Sequence, residues 1–208
     1  LGRIAAARAI IAKKPSEKPL PQLAKEHEPI ILEAYEKSIV FARLEPNRLP
    51  LKPESSLLVL CPEVSALVQV EETQQGEGLA KKVLQRLPKA RCLTYNPKAE
   101  ANEILQMIEA ALAGHPFEGN VLALSYNAHL FSGQKEAFNR LSQTYPGLIL
   151  AALRNPYDLA AVPGPKTAAA TFGFRSPAVN ALLDVLTGKK NARTSGMPVA
   201  LTATPENS

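Results

Sequence analysis

The apolar positions of this chain fall into short unbroken runs separated by stretches with helical spacing. The clearest run is residues 148–153, LILAAL, which then breaks into Arg154-Asn155-Pro156-Tyr157-Asp158. Such a run reads as a strand buried on both faces. Similar runs predict strands at residues 38–44, 57–60 (ended by Cys61-Pro62), 91–95, 121–125 and 167–172, with a possible edge strand at 197–201; residues 67–70 are another short apolar run. Helical spacing recurs between them. Ile4, Ala7, Ile10 and Ile11 mark a helix over residues 3–12, and Ile30, Ile31, Ala34 and Tyr35 mark another that starts near Pro29. Leu79, Val83, Leu84 and Leu87 share one face and stop at Pro88. Asn96-Pro97 reads as a cap followed by proline in the first turn. That helix carries Ile104, Leu105, Ile108, Ala111 and Leu112 and stops at Gly114. Ser132 reads as the cap of a helix with Phe138, Leu141 and Tyr145 inward. Ser176-Pro177 repeats the cap-then-proline signal before Val179, Leu182, Leu183 and Leu186, and Gly188 ends that helix.

Strands and helices alternating through short loops predict an α/β fold with a mostly parallel sheet. Right-handed crossovers then place helices on both faces, giving a three-layer α/β/α sandwich. Residues 1–36 stand apart. Pro15, Pro19 and Pro21 make residues 15–21 an extended linker, so 1–36 is expected to be a helical arm and 37–208 the sandwich domain. The chain opens Leu-Gly-Arg without a methionine, which is expected of a fragment, a processed product or a chain lacking its start. The compartment is left open by the sequence.

Composition changes this picture little. The net charge of +5 comes from 24 basic and 19 acidic residues that are scattered rather than grouped. The densest basic stretch, Lys189, Lys190 and Arg193, falls in a predicted loop, and no basic-aromatic motif accompanies it, so nucleic acid is not an expected partner. No apolar run approaches the roughly 20 residues that span a bilayer. Cys61 and Cys92 lie at strand positions with no second ligand at metal spacing, so reduced buried thiols are expected and no metal or other cofactor is.

Motif chemistry is also sparse. The first buried strand continues LLVLCPEVSALV, without the glycine pattern of a dinucleotide loop, a phosphate loop or a nucleophile elbow. Glu71, Glu72 and Glu77 lie in the loop VEETQQGEG, where nothing identifies the carboxylate pair a glycosidase needs. Of the histidines, His27 belongs to the arm and His115 to a Gly-Pro loop. Only His129 follows a strand, at the same sheet edge as Arg154. Ligands and partners of open α/β sheets gather beyond the carboxyl ends of the strands. Arg154, Asn155, Tyr157, Asp158 and His129 are therefore the candidate contact residues, for a substrate or for another domain. The alternative is a turn opened by Asn-Pro in which Arg154 and Asp158 pair with each other.

The segments ALRNPYDLAAVP, AAATFGFRSPAVNALLDVLTG and TSGMPVAL, in that order, resemble the C-terminal domain of glycoside hydrolase family 3. The resemblance is to the two-domain β-N-acetylglucosaminidases of that family. It rests on Arg154, Pro156, Tyr157 and Asp158, then Phe172-Gly173, Gly188 and Met197-Pro198-Val199, with Met197 where the family usually has leucine. AYEKSIVFARLEPNRLPL, residues 34–51, resembles the family's entry strand and its Leu-Pro-Leu loop.

The resemblance implies that the sugar site lies in an N-terminal (β/α) barrel of the same polypeptide. The Lys-His-Phe-Pro-Gly-His-Gly signature of that barrel, its Asp-His pair and its aspartate nucleophile are not found in this sequence. No catalytic residue is therefore carried over, and the chain by itself is expected to lack glycosidase activity. The parent is expected to hydrolyse β-linked N-acetylglucosamine in cell-wall fragments, with carbohydrate and the barrel as partners. Two other readings stay open. One is a stand-alone small-ligand or sugar binding module, with a concave pocket near Arg154, Tyr157 and His129. The other is a structural domain serving stability or dimerisation. The docking reading expects instead a flatter patch with an apolar centre.

Overall fold

A computed structural model describes residues 19–52, 55–63, 78–113 and 117–201. The helix expected at residues 3–12, the run at 67–70, the Glu71–Glu77 loop and His115 lie outside the described residues. The chain divides into two units, residues 1–33 and 34–208.

Helix α1, Leu20–Ser38, begins well before the expected start near Pro29 and carries that proline in its interior. Its first turn explains the difference. The Pro19 carbonyl accepts from the backbone N–H of Gln22 (2.9 Å) and Leu23 (3.1 Å). Pro21 sits in this first turn, where an N–H has no helical partner to lose. Pro19 and Pro21, which read as part of a linker, thus open a helix, and Pro15 lies outside the described residues.

Among its described residues the second unit holds six strands: β1 (Val40–Arg43), β2 (Leu57–Pro62), β3 (Arg91–Tyr95), β4 (Asn120–Ser125), β5 (Ile149–Ala152) and β6 (Thr167–Ala170). They form one sheet in the order β1-β6-β5-β4-β2-β3. All neighbouring pairs are parallel except β1 with β6, where Val40 pairs with Ala170 and Phe41 with Ala169 in antiparallel register. The helices are α2 (Leu79–Arg86), α3 (Ala101–Leu112), α4 (Ser132–Thr144), the short α5 (Asp158–Ala161) and α6 (Ser176–Leu186).

Alternation along each strand assigns the layers. Leu58, Leu60, Leu150 and Ala152 pack with Ile104 and Ile108 of α3, Phe138 and Leu141 of α4, and Leu159 of α5. The intervening Val59, Cys61, Ile149 and Ala151 pack with Val83 of α2 and Leu182 and Leu186 of α6. The result is the expected three-layer sandwich. No residue from 148 to 153 is more than 1% exposed, so both faces of β5 are covered. Each such Leu or Ile contributes about 1.5–3 kcal/mol of burial.

Several predicted helix boundaries move. Asn96-Pro97 does not start α3: the Asn96 side chain accepts from the Lys98 N–H at 2.9 Å and closes a turn, and the helix begins four residues later. Asparagine satisfies a turn and a cap with the same bond, so the residue alone does not separate them. At the other end Ala113 takes the left-handed position, with φ 50°, and Gly114 lies outside the described residues. Ser132 and Ser176 are first helical residues rather than caps, and neither Phe131 nor Arg175 before them makes a side-chain cap bond. Residues 197–201 form no strand. Gly188 ends α6 as expected, at φ +78°. Among the described residues no helix is long and apolar enough to cross a membrane.

Candidate functional site

The parallel strands deliver three loops to one edge of the sheet: residues 126–131 after β4, 153–158 after β5 and 171–175 after β6. All the candidate residues lie there. Asp158, the first residue of α5, is wholly buried and is the one buried carboxylate among the described residues. Its Oδ2 accepts from Ser125 Oγ at 2.8 Å. Its Oδ1 accepts from the His129 backbone N–H at 3.0 Å and lies 2.7 Å from His129 Nδ1. One carboxylate therefore closes the end of β4 and its loop onto the loop after β5.

The pairing fixes the imidazole. A carboxylate oxygen at Nδ1 assigns the proton to that nitrogen and turns Nε2 outward. Asn155 faces Nε2 through Nδ2 at 3.5 Å, too long for a strong bond. Its orientation is set because its Oδ1 accepts from the Tyr157 N–H at 3.1 Å. The His129 and Tyr157 rings meet edge-on, with centroids 6.1 Å apart.

Arg154 is not paired with Asp158. It donates to the Tyr126 hydroxyl at 2.7 Å, and its guanidinium carbon lies 5.7 Å from the centre of that ring. Tyr126 is buried, and Phe174 packs edge-on against it at 5.5 Å. Its backbone is held by Gln134, which is wholly buried: Oε1 accepts from the Tyr126 N–H at 2.9 Å and Nε2 donates to the Tyr126 carbonyl at 3.2 Å. The same Oε1 accepts from Tyr95 OH at 3.0 Å. Burial, the Asp158 charge and Cys61 push the Tyr95 hydroxyl well above the usual tyrosine range, so it stays a donor. The third loop is held by Thr171, whose Oγ1 lies 2.7 to 3.2 Å from the carbonyls of Gly173, Leu153 and Ala152. Here Phe172 adopts φ 52°, a left-handed conformation that is strained for an aromatic residue and redirects the chain so that Phe174 reaches Tyr126.

The structure thus brings all five candidate residues together on one edge and adds Ser125, Tyr126, Gln134 and Tyr95, which the sequence reading missed. Gln134 carried a signal, since it is spaced i, i+4, i+7 with the inward Phe138 and Leu141. A polar residue on the apolar stripe of a helix needs a buried partner.

Serine, histidine and aspartate meet here, but not in the order of a hydrolytic triad. Ser125 bonds the carboxylate rather than the imidazole, so it is not a hydroxyl that the histidine activates. Asp158 has no exposed oxygen to offer a sugar. The arrangement is a rigid mount that presents Arg154, the His129 Nε2 and two apolar groups at the surface: Leu130 is 67% exposed and Tyr157 44%.

Two cavities lie elsewhere. One of about 270 Å³ is lined by Leu51, Leu57, Leu87, Ala90 and Asn120, and one of about 330 Å³ by Glu45, Arg48, Pro50, Gly188 and Lys190. Both adjoin the opposite, amino edge of the parallel strands. The basic loop is engaged internally: Lys189 and Lys190 reach Asp184 and Glu36, at 3.8 and 2.8 Å, and Arg193 donates to the Lys37 carbonyl. Cys61 and Cys92 are free thiols on neighbouring strands. The bond shared with Cys92 and burial push the Cys61 thiol up, and the same bond lowers that of Cys92. Among the described residues no group of three or more His, Cys, Asp and Glu is placed to hold a metal ion.

No protein-family model matches the sequence, and no curated protein sequence matches it. Solved structures do. The chain is similar to a glycoside hydrolase family 3 β-N-acetylglucosaminidase from Paenibacillus sp. str. FPU-7, with 26% identity and a TM-score of 0.70 over 98% of this chain. It spans only 39% of that protein. A fungal multi-domain family 3 β-N-acetylglucosaminidase is similar at 20% identity and TM-score 0.62, over 86% of this chain and 20% of its own. A β-glucosidase from Listeria innocua is similar at 11% identity and TM-score 0.65, over 86% and 28%. At those identities the last two show the shared fold. The resemblance to family 3 read from the motifs is therefore present in three dimensions, and it is a resemblance to part of those enzymes.

Proposed function

We propose that this chain is the accessory α/β sandwich domain of a larger family 3 glycosidase that acts on β-linked N-acetylglucosamine. Residues 1–36 would be the arm leading to a catalytic (β/α) barrel. The observation that carries this reading is the match over 98% of this chain and only 39% of the Paenibacillus acetylglucosaminidase. The site geometry supports a non-catalytic role for this part: the carboxylate at the candidate edge is buried and fully engaged, and the serine beside it is bonded away from the histidine. A glycosidase needs two carboxyl groups about 5–9 Å apart on either side of the scissile bond, which this edge does not offer among the described residues.

The test is release of the chromophore from an aryl β-N-acetylglucosaminide by this chain and by the longer gene product. Activity confined to the longer product is expected. Activity of the chain alone would overturn the reading and direct attention to His129.

A further inference from the structure

We infer that Cys61 and Cys92 form a two-thiolate site for a soft monovalent cation, copper(I), held in a line between β2 and β3. The site stands apart from the loops at the carboxyl edge and does not depend on the glycosidase reading.

Strand register builds the pair. Val59 of β2 lies beside Cys92 of β3, and Cys61 beside Thr94. Cys61 is therefore the diagonal neighbour of Cys92, and alternation turns both thiols to the same face of the sheet. Both belong to the layer under α2. Cys61 is buried with Val59 and Val83, and Cys92 packs against that cluster from the side. Their sulfurs are close enough to share a hydrogen bond, and neither is in a disulfide. The sequence shows nothing of this, because the two residues become neighbours only when β2 and β3 pair.

The same register decides what the pair can do. Neighbouring strands are about 4.8 Å apart and rise about 3.3 Å per residue, so diagonal Cα atoms are separated by about 8 Å. A disulfide needs its Cα atoms within about 7 Å. The thiols thus meet at their tips while their backbones stand too far apart to be joined directly. An ion placed between the two sulfurs removes that mismatch. Thiolates select soft ions, and copper(I) is satisfied by two of them in a line. Zinc takes four ligands in a tetrahedron, and among the described residues no group of three or more His, Cys, Asp and Glu supplies them.

Charge and access fit as well. When Cys92 is a thiolate, the pair holds one proton, on Cys61. Copper(I) takes the place of that proton: the Cys61 S–H bond breaks, two S–Cu bonds form, and the proton leaves to solvent. The pair carries one negative charge before and after, so no further charge is buried, and nothing is oxidised or reduced. Among the described residues β3 is the last strand of the sheet, and Cys92 on it is half-buried, which gives an ion a way in from the edge. Cys61 is wholly buried among apolar side chains, which keeps water from the inner end of the site.

Anaerobic titration of the chain with copper(I) against the chromophoric chelator bicinchoninate tests the inference. The chain is expected to withdraw one copper(I) per molecule. Cys61→Ala and Cys92→Ala are each expected to weaken binding by more than the roughly 10–100-fold that the loss of a supporting residue costs. Unchanged binding by Cys61→Ala would make Cys92 a lone surface thiol and overturn the pair. X-ray absorption of the unaltered chain does not depend on a variant that folds. Two sulfur neighbours in a line are expected at each copper; three or more ligands, as in copper shared between chains, overturn the site. In native mass spectrometry zinc(II) is expected to be lost where copper(I) is retained, and equal retention of both overturns the selection. Diamide, a thiol oxidant, is expected to leave Cys61 and Cys92 unlinked in the folded chain. A disulfide between them refutes the geometry on which the site rests.

Discussion

The two edges of the sheet are stitched by different chemistry. At the carboxyl edge the work is done by buried side chains that accept hydrogen bonds: Asp158 takes the His129 N–H and Gln134 takes the Tyr126 N–H. At the amino edge it is done by arginines that donate to carbonyls. Arg43 binds three of them, each at 2.9 Å, one in α5 (Leu159) and one just after it (Val162); Arg91 binds the Ala111 carbonyl near the end of α3; Arg48 binds Gly147, just beyond α4. The N–H groups taken at the carboxyl edge belong to the loop after β4, and the carbonyls taken at the amino edge lie in or just after helices α3, α4 and α5. The side chains at the carboxyl edge are enclosed, while those at the amino edge snorkel out, and burial lowers the pKa of Arg43 and Arg48 without removing their charge at neutral pH.

If that contrast is right, substitutions should cost most where no water can replace the lost partner. Asp158→Ala leaves Ser125 Oγ and the His129 N–H without their acceptor, and a loss of about 3–5 kcal/mol is expected in urea unfolding of the chain. A loss below about 1 kcal/mol would mean that water enters the edge. Gln134→Leu keeps the volume and strips the polar contacts of Tyr126 and Tyr95, for an expected loss of about 2–3 kcal/mol by the same measurement. Arg43→Met keeps the stem and removes a half-buried fork that reaches three backbone carbonyls, and about 1–2 kcal/mol is expected. A larger effect than Gln134→Leu would break the comparison. Tyr157→Ala, on top of the same mount, should change the stability of the chain by no more than about 0.5 kcal/mol, since Tyr157 is exposed.

The thiols give a final, smaller contrast. Cys92 should be alkylated by iodoacetamide well before Cys61 in the folded chain, as followed by mass spectrometry, because one thiol is lowered and half-buried and the other raised and buried.

The layers of the fold were legible because burial imposes its period on the sequence. The run ending at Leu153 reads as a strand covered twice, and Val179, Leu182, Leu183 and Leu186 as one face of a helix, and both are so in the structure. Strand direction left no such trace. Nothing in VFAR distinguishes an antiparallel edge from another parallel strand: Val40 and Phe41 are both buried, as consecutive residues of the parallel strands are. Helix ends were misplaced where one residue type serves two purposes, as with Asn96 in a turn and Pro29 inside a helix. The candidate edge was legible as a place, because His129 and Arg154 each follow a strand. Its wiring was not. Asp158 finds Ser125 at a separation of 33 residues and Arg154 finds Tyr126 at 28, and such bonds exist only once β4 and β5 lie side by side. The segment from Met197 shows the opposite error: an apolar pattern is enough to suggest a strand, but a strand also needs an edge to join.

The antiparallel pairing of β1 with β6 also sets a timetable for synthesis. Ser38, just before β1, bonds the carbonyl of Thr171, just after β6, across 133 residues of sequence. The first strand of the sheet to leave the ribosome therefore has no partner until nearly all the others have been made. At about 5–20 residues per second the wait is several seconds at least. During that time the apolar Val40 and Phe41 are without their final cover, and β5 has an open flank until β6 arrives. A nascent chain of this kind depends on whatever shields β1 in the interval, and slowing translation ahead of β6 should raise the yield of aggregate more than slowing it after α6.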